Sequence, residues 1–296
     1  MTTYYDRPLL KEPVWEWMIP AYYYVGGLTG ASLVLGAAAQ LGDTSNRQAL
    51  IRRCHWIGFI GCSVSGVLLV ADLGRPERFL NMLRVFRPTS PMNVGAWILS
   101  AAGAASAGAV MVGGPFGYLA GPFGYLAGLF GAGLATYTGV LVSNSAIPIW
   151  QEGRQVMPIL FGASAMASAG SALRFFAATP EELKISGSFQ IAGQVLELAA
   201  AHTLERRVST VPRVGRPLQT GASGAMWKTA SVLTAAGLLV SLLPGKSKKK
   251  RIAAGILGTL GSAMMRFSVA AMGTASSRDA RASFERQRTS SVTTVN

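Results

Sequence analysis

Eight apolar runs, each close to membrane length, constrain this chain more than any motif. They are Trp17–Gln40, Cys54–Ala71, Val94–Val112, Leu126–Val142, Val156–Ala178, Ile185–Ala201, Met226–Leu243 and Ile252–Met272. A bilayer core takes roughly 20 predominantly apolar residues per helix. The sixth run is the weakest by hydropathy. Half of all residues are hydrophobic, 14% are charged and the mean hydropathy is +0.35, a membrane-like balance. The expectation is an all-α integral membrane protein with eight transmembrane helices in a bundle. Residues 1–16 would form an N-terminal interfacial segment, 17–273 the membrane domain and 274–296 a polar, partly extended tail. Met1 to Glu16 mixes acidic and basic residues and does not read as a cleavable signal, so the first run would itself direct insertion.

The formal net charge of +14 does not point to nucleic acid. The basic residues lie in short loops between apolar runs, not on one soluble face. Two cysteines, Cys54 and Cys62, cannot ligate an iron–sulfur cluster, and eight apart on one helix they cannot bridge each other. The two histidines, His55 and His202, fall at opposite ends of their spans, which argues against a haem held by both. Lys and Arg number about 16 on the face holding the N-terminus and about 9 on the other, which alone would place the N-terminal face inside. The densest cluster, KSKKKR at 246–251, lies on the opposite face, so the rule fixes no orientation. GPFGYLA occurs twice in tandem, at 114–120 and 121–127, and reads as a duplication that lengthens a turn. Small residues fill many spans (GGLTGAS, SAAGAASAGA, GASAMASAGSA) and permit close helix approach.

The segment DLGRPERFLNMLRVFRPTSPMN, Asp72 to Asn93, interrupts two apolar runs. Ser90-Pro91 reads as an N-cap followed by proline in the first helical turn, and Pro76 as a similar start to a short helix. Phe79, Met82, Leu83 and Phe86 recur at i, i+3, i+4 and i+7, with Glu77, Arg78, Asn81 and Arg84 opposite, the pattern of an amphipathic interfacial helix. Two readings stand: an anchor on the lipid surface, or a platform for a partner subunit. Asp72 either pairs with Arg75 at the headgroups or exchanges protons with a ligand just inside the membrane.

Three further sets carry polar chemistry. Tyr22, Tyr23 and Tyr24 point in three directions, since helical neighbours are about 100° apart. Tyr137, Leu141 and Asn144 share one face near the end of the fourth run. With Asp72 these groups lie at one depth and suit an aromatic head group bearing carbonyl or hydroxyl oxygens, or else bond one another between helices. In the sixth run Ser186, Gln190, Gln194 and Glu197 form a polar stripe that should face inward, because a charge at the membrane centre costs on the order of 3 kcal/mol or more. The stripe is either a water-assisted proton path or structural hydrogen bonding. Arg266 is expected to pair with Glu197 or Asp72, and Arg174 to snorkel.

Four stretches together resemble the polysulfide-reductase/NrfD family of membrane subunits: YYDRPLLKEPVWEWMIPAYYYVGG, DLGRPERFLNMLRVFRPTSPMNVGAW, ATYTGVLVSNSAIPIW and MMRFSVAAMGTAS. The pattern is similar to the subtype found with formate-dehydrogenase-like molybdenum or tungsten enzymes. The resemblance implies eight helices, no haem and no iron–sulfur cluster in this chain. It implies quinone (menaquinone or ubiquinone) as bound substrate, a ferredoxin-like iron–sulfur subunit and a molybdopterin (Mo/W) catalytic subunit as partners. It implies a multi-pass protein of the prokaryotic inner membrane, in contact with lipid and not with nucleic acid, its N-terminal face towards the iron–sulfur partner; in members with an exported catalytic subunit that face looks outward, and KSKKKR would then be cytoplasmic. Carried over, Tyr22, Tyr24, Asp72, Tyr137 and Asn144 would bind quinone. Gln190, Gln194 and Glu197 would form a proton path, and Arg75, Arg78, Arg84 and Arg87 would dock the partner. Two positions depart from the family pattern: Ala271 stands where relatives often carry an acid, and Asn144 where some do. A purely structural anchor and a proton-coupled transporter are the competing functions. No inverted repeat supports the transporter.

Overall fold

The computed structural model describes residues 10–42, 44–75, 77–112, 119–244, 247–282 and 284, without the side chain of Arg78. Among them are eleven helices and no strand. Seven are long and apolar enough to cross a membrane: α1 (Met18–Ala39), α2 (Gln48–Asp72), α4 (Pro91–Met111), α5 (Ala120–Ser143), α7 (Met157–Phe176), α10 (Gly221–Leu242) and α11 (Lys248–Ser277). The expected eight therefore become seven by this measure. The sixth run lies within α8 (Pro180–Val208), which is 29 residues long but too polar to qualify. Its polar residues point inward: Ser186, Gln190 and Gln194 are fully buried and Glu197 nearly so, while Val195 and Leu196 are exposed. Three short helices lie between the long ones: α3 (Glu77–Arg84), α6 (Pro148–Glu152) and α9 (Pro212–Gln219).

The long helices form two groups. α1, α2, α4 and α5 pack on one another, as do α7, α8, α10 and α11, and the halves are joined by α1, which touches α7 and α11, and by α5, which touches α7. Apolar burial supplies little drive between helices in lipid, so close backbone approach must supply it. Where α1 crosses α5, a Cβ on Gly131 would lie 2.7 Å from the Gly30 carbonyl oxygen, so only glycine fits.

The caps follow the sequence. Ser90 accepts a hydrogen bond from the Asn93 N–H with Pro91 in the first turn of α4. α8 starts with a capping box in which the Thr179 hydroxyl accepts from the Glu182 N–H and the Glu182 carboxylate accepts from the Thr179 N–H. The same carboxylate receives Arg53 of α2 at 2.8 Å, and Arg47 meets Glu181 at 2.7 Å. These pairs tie the start of α8 to the start of α2 on the face opposite the N-terminus.

Two sequence expectations change. Helix α3 forms but stops at Arg84, so Phe86 lies outside it and packs edge-on against Trp97 of α4. α11 continues through Ser277 rather than giving way to tail at 274. Pro76, Lys246, residues 114–118 of the first GPFGYLA copy and the tail beyond Phe284 lie outside the described residues.

Candidate functional site

At the N-terminal face the consecutive tyrosines of α1 separate as helical geometry requires. Tyr22 is buried towards α2 and α5, within electrostatic reach of Tyr137 and Cys62. Tyr24 turns the other way, to Thr259 and Arg266 of α11. Tyr23, which the resemblance did not carry over to the quinone site, sits between them and is fully buried. Its ring meets Trp15, Phe161 and Tyr22 at centroid distances of 5.9, 5.9 and 6.0 Å. Its hydroxyl is buried without a hydrogen-bond partner, and Tyr22, Tyr137, Asp72 and Arg266 all lie within electrostatic reach. The available signal was the run itself: with its neighbours assigned to opposite flanks, the middle tyrosine points between them.

Tyr137 is buried against α4, its ring lying over Gly95, where any Cβ would overlap the ring and the hydroxyl. Asp72, the last residue of α2, lies against Glu16 just before α1. No ion pair joins it to Arg75 among the described residues. Asn144 does not join this group. It is the C-cap of α5, is exposed, and its amide donates to the Val140 carbonyl 3.1 Å away. Of the five residues expected at a quinone head group, Tyr22, Tyr137 and Asp72 come together with Tyr23, Tyr24 faces the other half of the bundle, and Asn144 faces outward.

Beside Asp72 an apolar groove of about 510 Å³ runs between α2 and α3, lined by Ser63, Gly66, Val67, Val70, Ala71, Gly74 and Phe79. Asn93, also missed from sequence, pins the segment that carries α3. Its amide donates to the Met82 and Val85 carbonyls at 2.6 and 3.0 Å, and its Oδ1 accepts the Arg87 N–H at 2.7 Å. Arg75, Arg84 and Arg87 are exposed around this segment. Behind Tyr23, Trp15 stacks on Trp150 at 5.2 Å, and the Trp150 indole donates to the Val269 carbonyl at 3.0 Å.

A second polar set threads the other half of the bundle. Arg174 turns to neighbouring helices instead of snorkelling: its guanidinium donates to Gln190 Oε1 of α8 at 2.8 Å and to Ser241 Oγ of α10 at 3.3 Å. Gln190 donates onward to the Ala254 carbonyl at 3.0 Å. Gln194 is buried with both amide atoms unpartnered, wedged where Gly237 and Gly258 leave room. Glu197 accepts from Ser262 at 3.4 Å, with Ser164 and Thr234 beside it. Arg266 is fully buried, donates to the Phe161 carbonyl at 2.6 Å and lies 4.0 Å over the Phe161 ring. It interacts electrostatically with Glu197, Tyr24 and Tyr23. Its Nε and Nη1 have no hydrogen-bond partner. The polar residues of α8 thus lead, through Glu197 and Arg266, to the tyrosines of α1.

Fold and site together define a polytopic membrane protein, helical and without strands among the described residues, whose bundle encloses buried polar groups. A family model described as polysulfide reductase, of the NrfD type, matches residues 1–212. The chain belongs to that family, whose members are membrane subunits of redox complexes. No curated protein matches the chain significantly.

Proposed function

We propose that this chain is the quinone-binding membrane subunit of a multi-subunit oxidoreductase and exchanges electrons with an iron–sulfur partner docked at its N-terminal face. The observation that carries the reading is the buried Tyr22–Tyr23–Tyr137 hydroxyl cluster beside Asp72, at the end of α2 where the arginine-bearing α3 segment begins. A quinone head presents two carbonyl oxygens, and the unpartnered Tyr23 hydroxyl is a donor of the kind such an oxygen needs. The groove beside Ala71 offers an apolar seat for an isoprenoid tail. With α8 as the eighth crossing, the cluster and the partner arginines share one face.

Reduction of a quinone to quinol takes two electrons and two protons. The partner supplies the electrons, and this chain positions the head group and controls the protons. Asp72 exchanges a proton with the nearer oxygen, and tyrosine hydroxyls hold the ring. Gln190, Gln194 and Glu197 lead protons towards Arg266 and the tyrosines, and the unbonded Gln194 amide is where a bridging water completes the line. The same groups serve quinol oxidation in reverse. A molybdopterin enzyme completes the complex.

The test is electron transfer between the purified complex and a quinone analogue. Asp72→Asn and Tyr137→Phe should each lower the rate while assembly persists. Unchanged rates in both variants would remove the site assignment. A complex in which quinone never reacts would leave a structural anchor.

A further inference from the structure

The half of the bundle that holds Tyr22 and Tyr137 carries a polar line of its own, along the seam between α1 and α2. Tyr22, Gly26, Thr29, Leu33, Gly36 and Gln40 follow one another at spacings of three and four, the rhythm of a single helical face. From α2, running the other way, Ser65, Gly58 and His55 face them, and the glycines fix the register. A Cβ on Gly36 would lie 3.6 Å from His55 Nε2, and one on Gly58 would lie 3.3 Å from the Ser106 Cβ of α4. A Cβ on Gly61 would overlap the Thr29 hydroxyl, and one on Gly26 would meet Ser65 Oγ at 3.7 Å and the Tyr22 ring at 3.6 Å. Counted from the face opposite the N-terminus, the polar groups are therefore His55, Ser106, Thr29, Ser65 and Tyr22, all of them buried. Successive levels are three or four residues apart on α2, about 4.5–6 Å of helix rise, a gap that one bridging water spans.

Two of these groups call for such waters. Thr29 Oγ1 and Ser65 Oγ are fully buried and have no hydrogen-bond partner among the described residues. Neighbouring serines are satisfied within their own helices: Ser32 donates to the Leu28 carbonyl at 2.8 Å and Ser106 to the Gly103 carbonyl at 2.9 Å. A buried hydroxyl left unbonded costs about 1–3 kcal/mol, so packing alone favours no hydroxyl at either position. The far end of the line is open. A cleft of about 420 Å³ on the opposite face reaches His55 between Gln40, Thr44, Gln48 and Tyr125, with the exposed Arg52 at its rim. The Gln40 amide nitrogen lies 3.3 Å from His55 Nε2. The near end is Tyr22, within electrostatic reach of Tyr137. The α8 line meets the tyrosines only past the buried Arg266 guanidinium, whereas α1, α4 and the part of α2 beyond Arg53 carry no lysine or arginine.

We infer that this seam is a second proton line, which takes protons from the cleft at His55 and delivers them through Tyr22 to the bound quinone head. The inference rests on the quinone reading given above. Reduction draws two electrons from the iron–sulfur partner and two protons. Tyr22 passes its hydroxyl proton to the quinone oxygen that Asp72 does not serve, and regains one from the Ser65 side. His55 feeds the line by accepting a proton at one ring nitrogen and releasing one from the other. The proton consumed at Tyr22 is thus replaced from the face opposite the partner.

The purified complex is assayed with reduced methyl viologen as donor and menadione as acceptor, in detergent and in oriented proteoliposomes. Thr29→Val and Ser65→Ala should each slow turnover about tenfold and raise the solvent deuterium isotope effect, because each removes one hydroxyl from the line. Neither should lower the thermal midpoint or photolabelling by an azido-quinone, since neither hydroxyl bonds to another described residue. Thr29→Ser, which restores the hydroxyl, should recover the rate. In proteoliposomes with the partner outside, menadione reduction should alkalinise trapped pyranine, and Thr29→Val should reduce the protons taken from inside per menadione reduced. Unaltered turnover in either hydroxyl-deleting variant, or protons drawn wholly from the partner's side, would overturn the line and leave the quinone site standing. An unaltered complex that neither takes the azido-quinone label nor reduces menadione removes the quinone reading, and the proton line with it.

Discussion

Gly95→Ala separates the position of the Tyr137 hydroxyl from its mere presence. The Tyr137 ring lies directly over Gly95, and an added Cβ would fall inside both the ring carbon and the hydroxyl oxygen. Carbon contacts settle near 3.5–4 Å, so the ring must retreat by about 2 Å. The obstacle is the far end of a side chain rather than backbone, so the fold should survive at a cost of about 1–3 kcal/mol. A misplacement of that size at a reacting group costs about 100-fold in rate. Gly95→Ala should therefore lower quinone-analogue turnover of the assembled complex by about two orders of magnitude while the subunit still assembles. Tyr137→Phe keeps the ring in place and removes only the oxygen, so the double variant should be little worse than either single one. Wild-type turnover in an assembled Gly95→Ala complex would refute the placement of Tyr137 at the head group.

Other outcomes test the supporting structure. Asn93→Ala removes three hydrogen bonds that hold residues 82–87, so hydrogen exchange there should accelerate and partner binding weaken, with the bundle's thermal midpoint little changed. Arg53→Ala leaves the buried Glu182 carboxylate without its cation and should cost about 1–3 kcal/mol, read as a lower thermal midpoint in detergent. Trp150→Phe removes a buried hydrogen bond to the Val269 carbonyl and should cost about 1 kcal/mol by the same measure.

How much could be read in advance followed from how local the physics is. The apolar runs, the Ser90-Pro91 start of α4 and the inward stripe on α8 depend on neighbours in sequence, and each was legible. The sixth run failed the apolar criterion for the reason that makes α8 interesting: its polar residues are buried against other helices, which a hydropathy window cannot see. Arg174 was misjudged in the same way, since its acceptors Gln190 and Ser241 come from α8 and α10. Asn144 shares a helical face with Tyr137, yet α5 ends one residue before it and the amide folds onto its own helix. Tyr23 and Asn93 gained their importance from Trp15, Phe161 and the α3 segment, contacts that only the packed chain supplies.

The central claim is that quinone binds at the N-terminal face between the ends of α1, α2 and α5. Photoaffinity labelling of the purified complex with an azido-quinone, followed by peptide mapping, tests it most directly. The account predicts label on peptides containing Tyr22–Tyr24, Asp72 or Tyr137, displaced by excess unlabelled quinone and diminished by Asp72→Asn. Displaceable label confined to the opposite face, around His55 and Tyr125, or to the partner subunits alone, would contradict it.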